Sequence, residues 1–565
     1  MKKAAKISLI TLGVLLGLGI AVFVGADVWV SRYVKKQVDK ALGDLPFGEA
    51  SVGDIQIRLF SGTAEVRDIA FSYGPALEAH VDKVEVGRIF YSALLDHRIY
   101  ITDVHVVRPS LELVYDSKHP DELFPKVETG DMSKVSEYLS SAELDRLKIR
   151  NARLMLQDIA TGNEISIDSA TVRLYDLGYT FQDSTFHYND SLYRIEVGSF
   201  GCYVPQEPIR IEAHQVNTRD GGPLTTGNVR IKHACDKRKL ASIKHEQATW
   251  IDLRVNSVRT SSLNLFHKAL NQDLNLDTIA VEISHMDIFR DARMEPKKPF
   301  PMPQTVLTQL PVTLEVKHVD ARVKQIDIEF ASTDINKGEM HLKDIRAAVE
   351  HATNRRGSTI FVHGQCPMDK GLAKAEMSIV LNRACDWKTK LHAENINTNY
   401  LNSFIRPLVG MTFACHVDTL DAQYSGNSVN STGTFRMLYH GLDVKVYKED
   451  NIPYKVITKN ADAITQLGNT LIPKSNPTAV DIRPRAYNVE WKRDEWSPFP
   501  LYMFGCCIDG AKKTMLPGLY VHKQVQQKPK TAGVKPLGTK TSGTTKPAGT
   551  KKTATPTTTG KKKNK

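Results

Sequence analysis

Apolar and polar residues alternate along most of this chain. Residues 310–330 read LPVTLEVKHVDARVKQIDIEF, and every second side chain is apolar over short stretches. This period of two predicts strands with one apolar face and one polar face. The apolar phase slips by one residue between Val316 and Val319, and again between Val323 and Ile326, as a bulge or a tight turn would require.

The same alternation begins soon after residue 48, in DIQIRLFSGTAEVRDIAFSY. Two apolar runs flank the turn signal Ser61-Gly62, which predicts a hairpin with one buried face. The next segment, IYITDVHVVRPSLELVYD, continues the pattern. Its Pro109 has no N–H to donate, so pairing there is confined to an edge, a strand start or a bulge.

Further alternating runs include IRIEAHQV, WIDLRVNSV, LDTIAVEISHMDI and GLDVKVY. At one strand per roughly 8–12 residues, the body should hold on the order of 30 strands. Sheets beyond about ten strands normally split, curl or flatten. The pattern therefore predicts a mainly β fold, an elongated curled antiparallel sheet that forms an open β-groove with one apolar face.

Helical patterns are few. SRYVKKQVDKALGDL predicts a short amphipathic helix that ends near Gly43. DMSKVSEYLSSAELDRL has helical spacing as far as Leu144, so we interpret residues 118–147 as a helical insertion or linker. NYLNSFIRPLVGM and ADAITQLGNTLI predict two more helices.

The first residues have the pattern of a membrane anchor. Three lysines precede an uncharged run at residues 7–26, and a helix of that length spans about 30 Å, the thickness of a bilayer core. We interpret 7–30 as an uncleaved transmembrane helix, with residues 1–6 in the cytoplasm and the body exported. The alternative is a cleaved signal peptide with a small-residue site at Val24 and Ala26, although its apolar region is usually only about 7–15 residues long.

Net charge is confined to the other end of the chain. The 565 residues carry a formal charge of +12, but residues 521–565 contain twelve lysines and no acid, so the rest of the chain is neutral. A neutral body does not favour nucleic acid as a partner. Residues 520–565, rich in Lys, Thr, Pro and Gly, predict a disordered tail, either simply solvated or touching an anionic envelope surface.

No motif for catalysis or metal binding is present. Gly-x-Ser-x-Gly, His-Glu-x-x-His and the P-loop pattern are absent from the sequence. The seven cysteines are scattered and show no Cys-x-x-Cys spacing, which argues against zinc. We predict no catalytic residue, no metal and no cofactor, and hence a protein that is not an enzyme.

The segment SPFPLYMFGCCIDGAKKTMLPGLY combines an apolar stretch with two lysines. One interpretation is a core helix or strand that closes the body. The other is a segment at a membrane interface, with aromatic and leucine side chains at headgroup depth and lysines beside phosphate. The candidates for that interface are Phe499, Leu501, Tyr502, Phe504, Lys512 and Lys513.

GEASVGDIQIRLFSGTAEVRDIAFSY followed by IYITDVHVVRPSLELV resembles the amino-terminal module of the AsmA-like envelope proteins of Gram-negative bacteria. LPVTLEVKHVDARVKQIDIEF is similar to the middle of larger members. Their carboxy-terminal part resembles VDTLDAQYSGNSVNSTGTFRMLYHGLDVKV and NPTAVDIRPRAYNVEWKRDEWSPFPLYMFGCCIDGAKKTM. The resemblance implies a β module at 31–117 and a groove body at 148–519, held in the periplasm by a single-pass inner-membrane anchor. The Lys/Thr tail departs from the family pattern.

This resemblance implies that the groove binds or conducts membrane lipids, phospholipid or glycolipid, and supports outer-membrane assembly. The alternative is a structural or assembly factor of the envelope that carries no lipid and whose sheet is filled by its own side chains. The lipid class, the direction of transport and the protein partners are left open by the sequence. The groove candidates are Val312, Leu314, Val316, Ile326, Ile328, Phe330, Leu442, Val444 and Val446.

Overall fold

The computed structural model describes residues 27–43, 48–58, 61–119, 139–181, 185–189, 191–263, 273–310, 312–331, 337–447, 465, 472–479 and 482–515. The uncharged run at 7–26, the tail at 520–565 and nearly all of the helix predicted in ADAITQLGNTLI lie outside these residues. Within them, no helix is both long and apolar enough to cross a membrane.

The protein is mainly β, as predicted, and its described strands form one 20-stranded sheet. In chain order they are β1 (Glu49–Arg58), β2 (Thr63–Tyr73), β3 (Leu77–Val86), β4 (Arg98–Tyr115), β5 (Ser141–Asp158), β6 (Glu164–Thr180), β7 (Thr185–His187), β8 (Tyr193–Val204), β9 (Ile209–Arg219), β10 (Pro223–His233), β11 (Ala248–Ser262), β12 (Asp273–Asp291), β13 (Thr313–Ala331), β14 (Lys337–Thr353), β15 (Thr359–Met368), β16 (Gly371–Val380), β17 (Trp387–Asn397), β18 (Met411–Gly426), β19 (Asn430–Val446) and β20 (Ala486–Lys492).

Each strand pairs with the next one along the chain, except that β6 pairs with both the short β7 and with β8. The hairpin of β1 and β2 is confirmed, with Gly62 at a positive φ of 65° in its turn. The pairs β4–β5 and β12–β13 are parallel, so the sheet is not wholly antiparallel as predicted. The prediction of about 30 strands is also wrong, because single strands run for as many as 19 residues.

Six helices accompany the sheet in the described part of the chain. They are α1 (Asp27–Gly43), α2 (Tyr91–Leu95), α3 (Leu240–Lys244), α4 (Pro303–Thr308), α5 (Asn402–Val409), which a 3-10 turn at Thr398–Leu401 precedes, and α6 (Phe499–Met515). The predictions of α1 and α5 are confirmed. The helix predicted as far as Leu144 is wrong where it can be checked, since β5 begins at Ser141. The spacing of three residues between Leu144 and Leu147 fits a strand, because the ladder is interrupted between them at Asp145. Asp176, which faces Asp145 on β6, has a positive φ.

Interruptions of this kind cross the sheet as a row. Seven strand residues in the row adopt the left-handed region, four of them Asp or Asn, the non-glycine types that tolerate it best. At each interruption the pleat changes phase, so apolar side chains three residues apart remain on one face. We call these residues the seam: Asp68, Arg108, Asn151, Ser169, Gln215, Asn228 and Asp344.

The seam accounts for the phase slips in the sequence. β13 runs straight through both slips with unchanged register to β14, so neither is a tight turn. Lys324 lies opposite Asp344, and Lys317 lies opposite His351, which is also left-handed. Pro109 follows the seam residue Arg108, and neither residue pairs with β5, but the register between β4 and β5 is the same on both sides, so the pairing is interrupted at Pro109 without a bulge.

The apolar face of the sheet is covered at its two ends. At the first end, α1 packs Val30, Val34, Val38 and Leu42 against β1 to β4. A side chain of α1 also hydrogen-bonds to the edge strand β1, where Lys35 Nζ donates to the Val52 carbonyl at 2.9 Å. At the second end, α6 packs on β19 and β20, and α5 packs on β18 and on β14. Between Leu113 and Leu240 only three described apolar residues are buried, Ala170, Tyr193 and Ala213.

Candidate functional site

One apolar residue from each of twelve strands lies in a single line across the sheet. Directly paired residues share a face, so the register places all twelve side chains on the face that α1 and α6 cover at its ends. We call this line the apolar row: Tyr73, Leu77, Leu113, Leu156, Ile165, Cys202, Ile211, Ile231, Leu253, Met286, Ile326 and Leu342.

The middle of the apolar row is open. The nine members from Leu156 in β5 to Leu342 in β14 are all half-buried, whereas Leu77 and Leu113 near the first end are buried. Strands lie about 4.8 Å apart, so nine strands give an open stretch of roughly 40 Å. Of the described helices, α5 packs on β14 at Gly338, near the last member of the row, and none packs extensively on the strands from β5 to β10.

Further apolar residues widen the row into a surface. Across β10 to β14 a second line contains Val229, Val255, Ile283, Val323 and Ile345. Across β11 to β14 a third line, on the other side of the row, contains Ile251, Ile288, Ile328 and Met340. Val255 and Val323 in the second line are buried, so the open surface is about two side chains wide at those strands.

The opposite face of the same strands is charged. In β13 the residues that alternate with Ile326 and Ile328 are Asp327 and Glu329. Asp327 lies 2.7 Å from His341 Nδ1, and Glu329 lies 2.5 Å from Lys237 Nζ. Burial would raise the pKa of Asp327, but hydrogen bonds from His341 and Gln325 outweigh it and lower that pKa. These charged side chains make this face polar, which leaves the apolar face as the candidate for binding apolar ligands.

The structure brings only some of the predicted groove residues to the open surface. Ile326 lies in the apolar row and Ile328 beside it, both half-buried. Leu314 is half-buried at the edge of a small cluster closed over Val316, which is 1% exposed. Val312 precedes β13 and is 41% exposed, outside the sheet.

The other predicted groove residues are buried by the chain itself. Phe330 belongs to the core cluster under α5 and α6. Leu442, Val444 and Val446 lie in β19 and belong to the same cluster. Covered in this way, Leu442, Val444, Val446 and Val316 are not available to a ligand in this structure, and Phe330 exposes only 3% of its surface, at the wall of a cavity.

The predicted interface segment forms α6, which packs on β19 and β20. The Tyr502 ring is buried, with its centre 5.5 Å from that of Trp387. The centre of the Phe499 ring lies 5.7 Å from that of Trp387. Phe504 meets Phe404 edge-on at 6.1 Å, and Leu501 and Lys512 are half-buried. Lys513 Nζ lies 2.7 Å from Asp509 and donates to the Asn488 carbonyl at 3.0 Å. The described part of the segment thus has the contacts of a core helix.

Sequence reasoning missed most of the apolar row. Each member lies in an alternating run, which was the available signal, but alternation does not show which residues of distant strands face each other. No group of three His, Cys, Asp or Glu residues suited to a metal ion occurs in the part of the chain that the structure describes. No protein-family model matches this sequence, and no curated protein is detectably similar to it.

Proposed function

We propose that this protein binds membrane lipids by laying their acyl chains along the apolar row. The observation that carries this proposal is the run of nine half-buried apolar residues in consecutive neighbouring strands, from Leu156 to Leu342. Exposed apolar surface of this length is unusual in a soluble monomer and marks a binding surface.

The energetics favour a long apolar chain as the ligand. Each CH₂ group moved from water onto such a surface contributes about 0.8 kcal/mol, so a sixteen-carbon chain gains roughly 12 kcal/mol before entropy costs. The row itself has no charged member. Its only polar side-chain groups are the Tyr73 hydroxyl and the Cys202 thiol. A ligand recognised by area alone fits it better than a small polar molecule does.

The setting of this activity is part of the same proposal. The amino-terminal pattern and the resemblance to AsmA-like proteins support an inner-membrane anchor at 7–30, with the body in the periplasm and a role in conducting phospholipid or glycolipid for outer-membrane assembly. A second candidate is an envelope assembly factor that carries no lipid. The covered ends of the sheet favour that candidate, because there the apolar face is filled by the chain's own helices.

Two substitutions in β13 test lipid binding. Ile326→Asp places a carboxylate in the open part of the row, where it can stay hydrated, so we expect normal folding and loss of bound lipid. Val316→Asp is the matched control, because the same change at a sealed position buries an unpaired charge and costs several kcal/mol. Mass spectrometry of lipid retained by the gently purified proteins and their resistance to protease are the two measurements.

The outcomes separate the candidates. Parent protein that carries lipid, with an Ile326→Asp variant that resists protease and carries less, supports the proposal. Parent protein that carries none supports the assembly factor. An Ile326→Asp variant that is degraded as readily as Val316→Asp shows that the row is a closed core.

A further inference from the structure

A half-open cavity of about 500 Å³ lies at the ends of β12 and β13, bordering the apolar surface. Its lining includes the apolar side chains of Phe330, Leu501 and Trp496. Arg290 also lines it and is 7% exposed, so the most basic of side chains is held almost wholly away from water.

Arg290 is held in place by neutral groups. One terminal nitrogen donates to Thr249 Oγ1 at 3.1 Å and the other donates to the Gln247 side-chain oxygen. The Phe300 ring lies 4.6 Å from the guanidinium carbon, a cation–π contact. Its Nε is buried without a hydrogen-bond partner.

The charge of Arg290 is therefore uncompensated at close range. No described carboxylate lies within ion-pair distance of it, and the neighbouring Asp291 pairs instead with Arg293 at 2.7 Å. Burial lowers the pKa of Arg290 to about 10, which leaves it protonated at neutral pH. A buried cation without a counter-charge is costly, and an anionic ligand removes that cost.

The position of Arg290 relates it to the apolar surface. It lies two residues beyond Ile288 on β12 and pairs with Phe330, which lies two residues beyond Ile328 on β13. A period of two puts these four side chains on one face. A chain that lies over Ile288 and Ile328 has its end at the cavity.

We propose that Arg290 binds the phosphate of an anionic lipid headgroup at the rim of the sheet while the acyl chains lie along the apolar surface. This inference rests on the proposed lipid binding and names its ligand class. The guanidinium presents N–H donors to phosphate oxygens, a geometry that suits them well. Glu295 and Asp494 also line the cavity but are exposed, so they face water at its mouth.

The test compares two lipids that differ only in phosphate. The full chain is incubated with phosphatidylcholine vesicles that contain either phosphatidic acid or diacylglycerol with the same acyl chains, and lipid on the re-isolated protein is measured by mass spectrometry. Because a hydrogen bond to a charged group is stronger than one between neutral groups, we expect a preference of roughly tenfold or more for phosphatidic acid. Arg290→Gln should abolish that preference and leave diacylglycerol uptake unchanged.

Two further variants complete the test. Arg322→Gln removes an equal charge from an exposed position on β13 and should change nothing. Glu295→Gln removes negative charge from the mouth of the cavity and should raise phosphatidic acid uptake severalfold, without touching the contacts of Arg290. If Arg290→Gln fails to fold, the Glu295→Gln result decides, because unchanged uptake overturns the headgroup site.

The remaining outcomes are distinct. Equal uptake of both lipids by the parent, or a preference that survives Arg290→Gln, overturns the headgroup site but leaves lipid binding intact. Uptake of neither lipid overturns lipid binding itself. Equal uptake of both lipids by the parent, together with binding of inorganic phosphate that Arg290→Gln abolishes, assigns the cavity to free phosphate and overturns the lipid headgroup.

Discussion

At the scale of single residues, Asp158 stabilises the turn between β5 and β6 through hydrogen bonds. It is 3% exposed, and its carboxylate accepts from the backbone N–H groups of Ser117 and Ala160, each at 3.1 Å, and from Thr161 Oγ1 at 2.6 Å. Burial would raise the pKa of Asp158, but these hydrogen bonds outweigh it and lower the pKa to about 2. The carboxylate thus ties the end of β4 to the turn after β5.

We expect Asp158→Ala to destabilise this region by about 2–3 kcal/mol near neutral pH, since buried donors lose their acceptor. A folded-state pKa below the ordinary value means that the contribution is complete above about pH 4 and is lost as the pH falls through 2. Urea unfolding of parent and variant at several pH values measures this, and the gap between them should narrow in acid. Asp168→Ala, which breaks only an exposed pair with Arg153, should cost less than about 1 kcal/mol.

The seam makes a second prediction at this scale. Asn228 has a φ of 50° in β10, a conformation that costs a β-branched residue about 1–2 kcal/mol and costs glycine nothing. Asn228→Val should therefore lower the thermal midpoint, while Asn228→Gly should stay close to the parent. Equal midpoints for all three proteins would show that the ladder interruption does not depend on the left-handed residue.

At the scale of elements, α6 is a core helix on the last strands. Tyr502 is buried against Trp387, while its neighbour Leu501 is half-buried. Truncating a fully buried large aromatic side chain costs about 3–5 kcal/mol. We expect Tyr502→Ala to release α6 to protease, and Leu501→Ala to have a much smaller effect. Comparable protection of the Tyr502→Ala variant and the parent would contradict the core role and revive the interfacial one.

Elements were predictable from the sequence where local pattern decides them. The first hairpin, α1 and α5 follow from a turn signal and apolar periodicity. The strand containing Leu144 was not predictable, because the three-residue step from Leu144 to Leu147 reads as a helix unless the ladder interruption at Asp145 is known. Leu442 and Val444 are buried, whereas Ile326 is half-buried. This difference depends on which strands the helices cover. Alternation looks the same in both cases.

The cavity at Arg290 shows the same limit for the candidate site. In the sequence Arg290 is one basic residue in an alternating run, and nothing there sets it apart from exposed arginines such as Arg322. Its burial arises from Gln247 and Thr249 at the start of β11 and from Phe300, which the chain brings from two separate segments. The burial of Arg290 depends on strand register and long-range packing, and neither can be predicted from the local sequence.

At the scale of the whole sheet, stability and openness are distributed unequally. The last strands lie under α5 and α6 in a cluster of many buried side chains, whereas strands β5 to β10 contribute few. The backbone ladders are alike, so the difference arises from side-chain burial. Each fully buried apolar side chain contributes about 1.5–3 kcal/mol, and segments with few of them open at lower free energy.

We therefore expect hydrogen exchange in mild denaturant to be about tenfold or more faster for amides in β5 to β10 than for amides in β17 to β19. Bound lipid stabilises only the state that binds it, so adding phospholipid vesicles should slow exchange across β5 to β14 and leave β17 to β19 unchanged. The Ile326→Asp variant serves as the control, because it should show the same unequal exchange without the response to lipid. Uniform exchange along the sheet would contradict the unequal packing. A lipid response confined to α6 and the last strands would move the binding surface to the end of the molecule that the chain itself covers.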